Sequence, residues 1–581
     1  MAPCILKRFG IRAIVSLCVT VITSSPLLAQ VSPPSLDLER RVGPGPALPP
    51  LPEFLPEELP SSLELPPLPS TPPDRGERLS QSPSVFVKDI RVEGNTAFPD
   101  EQLALIVRPY EGREITAEEL LRLRDALTLH YINAGYVNSG AVIPDQDVVE
   151  GVIIIRIVEG QLDEVRVHGL KALREGFVKR RIALGAEPPL NVNTLKERLQ
   201  LLLTDPAIER LDARLGPGAE PGSGQLEVDV VEARRFFGGL RFGNDRPPSI
   251  GSEHGEVFAG LRNVIGVSDP LLVRYGRTRG ANDFEGSYSV PLTAENLRLR
   301  LYGSYDDAKV VESPFRELDI AAKTWTFDVG LRYPLHEAVG DELAVGIGLS
   351  RRHSETFLLD RPFSFAPGVR DGVSDVTALR FTGEWVHRRQ EEVLSALSTL
   401  SWGIDALGAT NNPSAPDSQY LSWLGQGQWV RRIGESESSV LARVAVQLAT
   451  DPLLPIEKFA IGGLDTVRGY RENFLVRDNA VVFTVEPRIA LFRLPLPFLS
   501  STPADGMVQF APFFDIGRGW DEDDDVLGPK TIYSLGLGVL WTPSPRLTAA
   551  LYWGYPLRNV PEPEEETLQD YGIHFEFRFF Y

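Results

Sequence analysis

The residues with the most chemical capacity sit in two glycine-bearing stretches well separated along the chain. The first is Phe459-Ala460-Ile461-Gly462-Gly463-Leu464-Asp465-Thr466-Val467-Arg468-Gly469-Tyr470, inside a segment running from about Asp451 to Asp478. Paired glycines permit a tight backbone path there, and Gly469 frees the turn beside Arg468. The second is Phe513-x-Asp515-x-Gly517, an acid set between an aromatic residue and a glycine at alternate positions. A guanidinium and a carboxylate in such settings supply fixed charge and directed hydrogen bonds, which is binding chemistry. Taken singly, Arg468 reads as a solvated loop residue and Asp515 as a turn residue at a strand end.

Bond-breaking chemistry has little support. The seven histidines are scattered, and His336-Glu337 lacks the second histidine of a zinc helix. There is no Gly-x-Ser-x-Gly elbow and no phosphate-binding glycine loop. The only cysteines, Cys4 and Cys18, lie in the first 20 residues, which removes thiolate metal sites and cysteine nucleophiles. No enzyme, cofactor or metal is expected. A net charge of -20 argues against nucleic-acid binding, which calls for a basic footprint. Much of the acid falls in Asp521-Glu522-Asp523-Asp524-Asp525 and in residues 562–566. Both read as solvated surface loops, without the spaced ligands and turn glycine of a calcium loop.

The elements that must position these groups are strands. Trp325, Phe327, Val329, Leu331 and Tyr333 share one face of a strand, with Thr326, Asp328, Gly330 and Arg332 opposite. Leu297, Leu299 and Leu301 alternate with Arg298 and Arg300, and Leu343, Val345, Ile347 and Leu349 repeat the theme. Leu441, Arg443, Ala445 and Gln447 oppose Ala442, Val444, Val446 and Leu448. The chain ends the same way: Tyr571, Ile573, Phe575, Phe577, Phe579 and Tyr581 fall on one face, and His574, Glu576 and Arg578 on the other. A soluble sheet rarely closes on six uncovered large apolar side chains, whereas a strand between lipid and a wet lumen needs them. An arginine facing that lumen is solvated; facing lipid at mid-bilayer it would cost about 2–4 kcal/mol.

From Phe236 onward there are about sixteen such segments, within the range of membrane barrels. With the first strand running outward, even-numbered connections are short, as at 293–295 and 543–545, and most odd-numbered ones are long, as at 307–319 and 353–375. Short periplasmic turns and long surface loops have that arrangement. No apolar run of about 18 residues follows the N-terminus, so helical spanning is not expected.

Residues 1–29 read as a signal peptide, with Lys7, Arg8 and Arg12 before an apolar stretch and cleavage after Ala29. Residues 30–83 form a proline-dense linker, extended and mobile, with a weakly amphipathic piece at Leu36-Asp37-Leu38-Glu39-Arg40-Arg41. Two similar α+β units follow, 84–160 and 161–233, before a barrel over 234–581. The first opens with a strand at 85–92. Thr116 and Glu119 form a capping box for a helix carrying Leu120, Leu123, Leu127 and Tyr131, which stops near Gly135, and strands at 137–143 and 152–158 complete the unit. The second opens at 162–169, has helices near 173–184 and 194–203, and ends on a strand at 225–231.

Three motifs carry a family resemblance: Tyr131-x-x-x-Gly135-Tyr136-Val137; Ile143-Pro144-x-Gln146; and Gly151-x-Ile153-x-Ile155-x-Ile157-x-Glu159-Gly160. With Leu201-Leu202-Leu203 and Leu215-x-Pro217-Gly218, they resemble the POTRA modules of two-partner secretion transporters, the hemolysin secretion/activation family called TpsB. Val467-Arg468-Gly469-Tyr470 is similar to that family's inward-folded loop motif and lies between the eleventh and twelfth strands, as there. The resemblance implies that Arg468 meets Asp515, the inward aspartate of Phe513-x-Asp515-x-Gly517, within the lumen. It implies that the aromatic end, with Phe577, Phe579 and Tyr581, signals assembly to the barrel-assembly machinery among outer-membrane lipids. It further implies a bacterial outer-membrane pore with periplasmic POTRA units and a large secreted exoprotein as partner, of hemolysin or adhesin type with an N-terminal secretion domain. Folding outside the cell would supply the drive. A barrel-assembly insertase of the same superfamily is the alternative, and a passive porin the more distant one. An N-terminal plug is a further expectation, since about 50 extended residues span more than 100 Å.

Overall fold

The computed structural model describes residues 62–64, 84–220, 222–413, 416–434, 436–522, 528–559 and 564–581. The expected signal peptide, the Leu36 to Arg41 piece and its plug role lie outside them.

In the first unit, helices α1 (Asp100–Val107) and α2 (Ala117–Asn133) cover a small sheet. The capping box forms: Thr116 Oγ1 accepts from Glu119 N at 3.2 Å, and the Glu119 carboxylate accepts from Thr116 N at 2.8 Å. Such a cap is worth about 1 kcal/mol. Helix α2 buries Leu123, Leu127 and Tyr131 against Ile153, Ile155 and Ile157 of strand Val152–Val158. It ends before Gly135, whose φ of 96° suits glycine.

Two strands differ from expectation. The opening strand breaks at Lys88, whose N–H is drawn to the Gly151 carbonyl at 2.8 Å. It becomes Val85–Val87, paired with an unexpected Arg113–Ile115, and Asp89–Glu93, paired parallel with Val152–Val158. The strand expected from Val137 shrinks to Gly140–Val142, because the preceding residues turn to pack Tyr136 against Phe98 and Tyr131.

The second unit packs α3 (Glu175–Ala183) and α4 (Val192–Leu203) on strands Gln161–His168, Ile208–Pro217 and Ser223–Glu232. The middle strand in sequence, Ile208–Pro217, was not foreseen, although it contains the Leu215-x-Pro217 motif. Its free edge is occupied by Ser62–Glu64, paired parallel from Ser62↔Asp212 to Glu64↔Arg214, so this part of the linker is a strand.

Both units close on the same device. Glu159 accepts from the backbone N–H groups of Thr96 and Ala97, at 2.6 and 2.8 Å. Glu232 accepts from Lys171, Ala172 and Leu173, at 2.6, 2.9 and 2.9 Å. Burial opposes each charge, but the convergent donors outweigh it and hold both carboxyls below their ordinary range.

The barrel is a closed antiparallel ring of sixteen main strands: β1 (Phe236–Gly243), β2 (His254–Leu261), β3 (Leu271–Arg277), β4 (Ala281–Pro291), β5 (Arg298–Lys309), β6 (Ala321–Glu337), β7 (Asp341–Leu358), β8 (Val373–Arg388), β9 (Glu392–Gly403), β10 (Leu421–Arg432), β11 (Ser439–Ala449), β12 (Asn479–Arg493), β13 (Met507–Trp520), β14 (Thr531–Ser544), β15 (Leu547–Pro556) and β16 (Ile573–Phe580). Strands β1 and β16 close it through Gly239↔Phe580 to Gly243↔Glu576. Strand lengths are uneven: β1, β2 and β3 have 8, 8 and 7 residues, whereas β6, β7 and β8 have 17, 18 and 16.

Alternation sorts side chains as expected. On β6, Trp325, Phe327, Leu331 and Tyr333 are exposed on the outer face, while Thr324, Thr326 and Arg332 are buried inside. Arg300 and Arg332 share Glu384 across the lumen wall, at 2.8 and 2.6 Å. The rule of short periplasmic turns has two exceptions, residues 262–270 and 494–506, and the surface connections have a short one, 278–280. There Gly280 N and Thr278 Oγ1 both donate to the Ile250 carbonyl, so the preceding connection lies over the turn. The second unit docks on periplasmic turns: Arg174 N donates to the Gly266 carbonyl at 2.8 Å, and Arg181 reaches Asn296 at 3.0 Å.

Candidate functional site in the barrel lumen

Residues 450–478, between β11 and β12, fold inward. Strands Phe459–Ile461 and Leu475–Arg477 pair as a hairpin, and Val467, Tyr470 and Phe474 are buried with them against Ala445, Ala480, Val482 and Ile532. The tip needs its glycines, since Gly462, Gly463 and Gly469 have φ of 117°, 97° and 88°. Room for the hairpin comes from the wall. A Cβ on Gly517 would stand 2.4 Å from Ile461 and 3.0 Å from Val467.

Arg468 is 4% exposed and Asp515 fully buried. The guanidinium donates through Nε to Asp515 Oδ2 at 2.8 Å and through Nη2 to Oδ1 at 2.9 Å, a bidentate fork. The backbone N–H of Arg468 also donates to Oδ2, at 3.1 Å. Nη1 pairs with Glu486 of β12, which Arg488 holds from its other oxygen at 2.8 Å. The guanidinium carbon lies 3.6 Å from the Phe513 ring centroid and 4.7 Å from that of Tyr552. One cation thus has two carboxylates and two aromatic faces, an arrangement that holds position without reacting.

The remaining predicted residues surround this pair. The Tyr470 hydroxyl donates to the Tyr533 carbonyl at 3.0 Å. Gly469 N donates to His574 Nε2 at 3.1 Å, which brings the loop tip to β16. Phe577, Phe579 and Tyr581 lie elsewhere, toward the other end of β16; Phe577 and Phe579 are in register with Phe242 and Leu240 of β1.

Sequence reasoning missed several partners. Glu486 shares the inward face of β12 with Thr484 and Val482, and its parity could have marked it. Gly554 of β15 would put a Cβ 2.7 Å from Gly469 N, so two glycines from distant stretches meet. At the root of the loop, Glu457 receives Arg380 of β8 at 2.9 Å and Arg352 of β7 at 3.1 Å, while Gln447 of β11 holds its carbonyl at 3.0 Å. Arg471 pairs with Asp570 at 2.5 Å and Glu312 at 2.8 Å. Asp521, expected in a solvated run, is instead buried with Lys458 at 3.0 Å and Arg477 at 3.3 Å. The loop is therefore tied to β7, β8, β11, β12, β13 and β16, across the lumen.

In the first unit, Gln146 of the Ile143-Pro144-x-Gln146 motif has a defined job. Its amide donates to the Ile154 carbonyl at 2.7 Å and accepts from Ile154 N at 2.8 Å, replacing a strand neighbour where Gly140–Val142 ends.

A sixteen-strand barrel with a charged loop fastened across its lumen, preceded by two α/β units on its periplasmic side, defines an outer-membrane transporter with POTRA domains. Residues 85–160 match the ShlB-type POTRA domain. Residues 222–539, more than half the chain, match the haemolysin secretion/activation proteins ShlB/FhaC/HecB, and the chain belongs to that family. It is 23% identical over 507 residues to "Outer membrane transporter CdiB" of Escherichia coli O6:K15:H31, covering 84% of this chain and 82% of that protein. It is 22% identical over 433 residues to "Heme/hemopexin transporter protein HuxB" of Haemophilus influenzae, covering 72% and 73%. The structure of CdiB from Escherichia coli shares the fold, with a TM-score of 0.66 at 21% identity over 89% of this chain and 94% of that one. BamA from Haemophilus ducreyi lacking POTRA domains 1–3 gives 0.50 at 13% identity, over 85% and 100%.

Proposed function

We propose that this transporter recognises an unfolded exoprotein in the periplasm and secretes it through the barrel, with Arg468, Asp515 and Glu486 holding the lumen loop in its working position. The observation that carries this reading is the buried fork between Arg468 and Asp515, on a loop that spans the lumen from β7 to β16. A passive pore has no use for so many buried charge pairs across its channel, each of which takes desolvation to form. The exoprotein is expected to be large and of hemolysin or adhesin type, secreted with a dedicated N-terminal domain.

Recognition is assigned to the first POTRA unit. Its strand Gly140–Val142 is a sheet edge beside α2, and an extended chain can add to such an edge through main-chain hydrogen bonds with little sequence demand. Deleting residues 84–160 should abolish secretion of the exoprotein partner while heat-modifiable barrel remains in the outer membrane. Normal export from that strain would refute the assignment. A general loss of outer-membrane proteins, with the exoprotein still secreted, would identify an insertase instead.

A further inference from the structure

The periplasmic connection between β12 and β13, residues 494–506, departs from the others in length, composition and direction. Its sequence Leu494-Pro495-Leu496-Pro497-Phe498-Leu499-Ser500-Ser501-Thr502-Pro503-Ala504 contains no charged residue before Asp505. A turn bathed in the periplasm has no reason to be so apolar. It is also built: Leu496 N donates to Ser500 Oγ at 2.8 Å, Ser500 Oγ to the Pro543 carbonyl at 2.6 Å, and Ser501 N and Thr502 N to Asp505 at 2.6 and 3.1 Å.

The direction follows from Trp541. This residue shares the outward face of β14 with Leu535, Leu537 and Val539, all exposed toward lipid. Its indole Nε1 donates to the Leu494 carbonyl at 2.9 Å, reaching past β13. Gly506 N also donates to the Thr542 carbonyl at 2.9 Å. The connection therefore crosses the end of β13 to reach Pro543 of β14, with its Leu494 carbonyl turned to the outward side of the wall. The ladder slips between Ala490 and Phe492, which leaves Leu491 and Phe492 both exposed, and Leu494 follows them. Phe498 is fully exposed at a φ of 71°, a conformation that bulky residues seldom adopt.

We propose that residues 494–499 form a membrane foot, with Leu494, Phe498 and Leu499 seated among the lipids of the periplasmic leaflet. The occupant is identified as lipid because the patch is continuous with the outward face of the wall through Ile489, Leu491 and Phe492. Apolar side chains at the end of a spanning strand gain by entering the headgroup–acyl boundary, where aromatic rings are favoured. The foot stands under β12 and β13, the hairpin that carries Glu486 and Asp515. It thereby braces in the bilayer the wall that receives Arg468.

The test uses single cysteines, since Cys4 and Cys18 both lie in the expected signal peptide. Phe498→Cys and Leu494→Cys are compared with Leu535→Cys as a lipid-facing reference and Glu391→Cys, in the turn between β8 and β9, as an aqueous one. Each full-length protein is placed in nanodiscs of phosphatidylethanolamine and phosphatidylglycerol, and its folding is checked by heat-modifiable migration. Residue 498 should react with a charged, water-soluble maleimide at least about tenfold more slowly than residue 391, as expected for a thiol in the headgroup–acyl boundary. A fluorophore there should be quenched by lipid-borne nitroxides as at residue 535. Labelling at the rate of residue 391, with no lipid quenching at either 498 or 494, would overturn the proposal. Protection in whole cells that disappears in nanodiscs would also overturn it, by assigning the patch to a protein.

Discussion

Gly469, one residue beyond the buried arginine, donates its backbone N–H to Nε2 of His574 on the last barrel strand. The loop thus bears on the strand that closes the ring as well as on the β12–β13 wall. A buried N–H left without an acceptor costs about 1–3 kcal/mol. His574→Ala should therefore loosen the tip while Arg468 stays paired. Single-channel recordings in planar bilayers should show more frequent current steps than wild type, with His574→Gln closer to wild type because it can still accept.

Arg468 has two acid partners, and this orders the effects of their removal. Arg468→Ala leaves two buried carboxylates facing each other, a change on the order of 3–5 kcal/mol if burial is complete and smaller in a wet lumen. Asp515→Ala leaves Glu486 as a residual partner and should be the milder variant. Secretion by Arg468→Ala/Asp515→Ala should be little worse than by Arg468→Ala alone, because the contact is lost once. Quantitative immunoblots of secreted exoprotein check the order, with barrel levels as the control; multiplied defects would mean the two residues act separately.

Gly554 faces Gly469 so closely that a Cβ at 554 has no room. The opposing atoms are backbone, which cannot swing aside as a side chain would. Gly554→Ala should displace the loop tip from the wall and raise mean conductance while barrel assembly persists. Protease cleavage within residues 462–474, absent in wild type, gives an independent reading of the displacement.

The barrel alternation and the loop motif were legible because their signals are local. A strand between lipid and water shows its period of two in the sequence, and Arg468 stands out among glycines. Glu486, Gly554, His574 and Glu457 were not singled out, because their roles depend on registers that exist only when sixteen strands have closed. Glu457 lies only eleven residues before Arg468, yet its two arginines come from β7 and β8. The break at Lys88 was equally hidden, since it is imposed by a carbonyl at Gly151. The course of residues 494–506 was not anticipated, although the segment's lack of charge was visible.

The paired caps at Glu159 and Glu232 make POTRA stability depend on acid. Both carboxyls titrate lower in the folded state than when unfolded, so their contribution is complete above the unfolded value of about 4.3 and is lost as pH falls through the folded one. Glu159→Gln should destabilise the first unit by about 1 kcal/mol at pH 7, given its partial exposure. The gap between variant and wild type should narrow progressively as pH falls below the unfolded value. Limited proteolysis of the periplasmic region across urea concentrations measures this; a gap unchanged from pH 7 to pH 3 would remove the carboxylate from the account.

The unequal strands give the exit its shape. About 9–11 residues suffice for a tilted strand to cross the bilayer. Strand β7, with 18, turns back at its periplasmic end after three residues, so its surplus stands on the cell-surface side. Strand β3, with 7, has none. The mouth is consequently bevelled: a tall parapet runs along β6 to β8, and the rim drops toward the membrane plane along β1 to β3. An exoprotein secreted as proposed would meet a wall of unspent backbone along β6 to β8 and a low rim along β1 to β3.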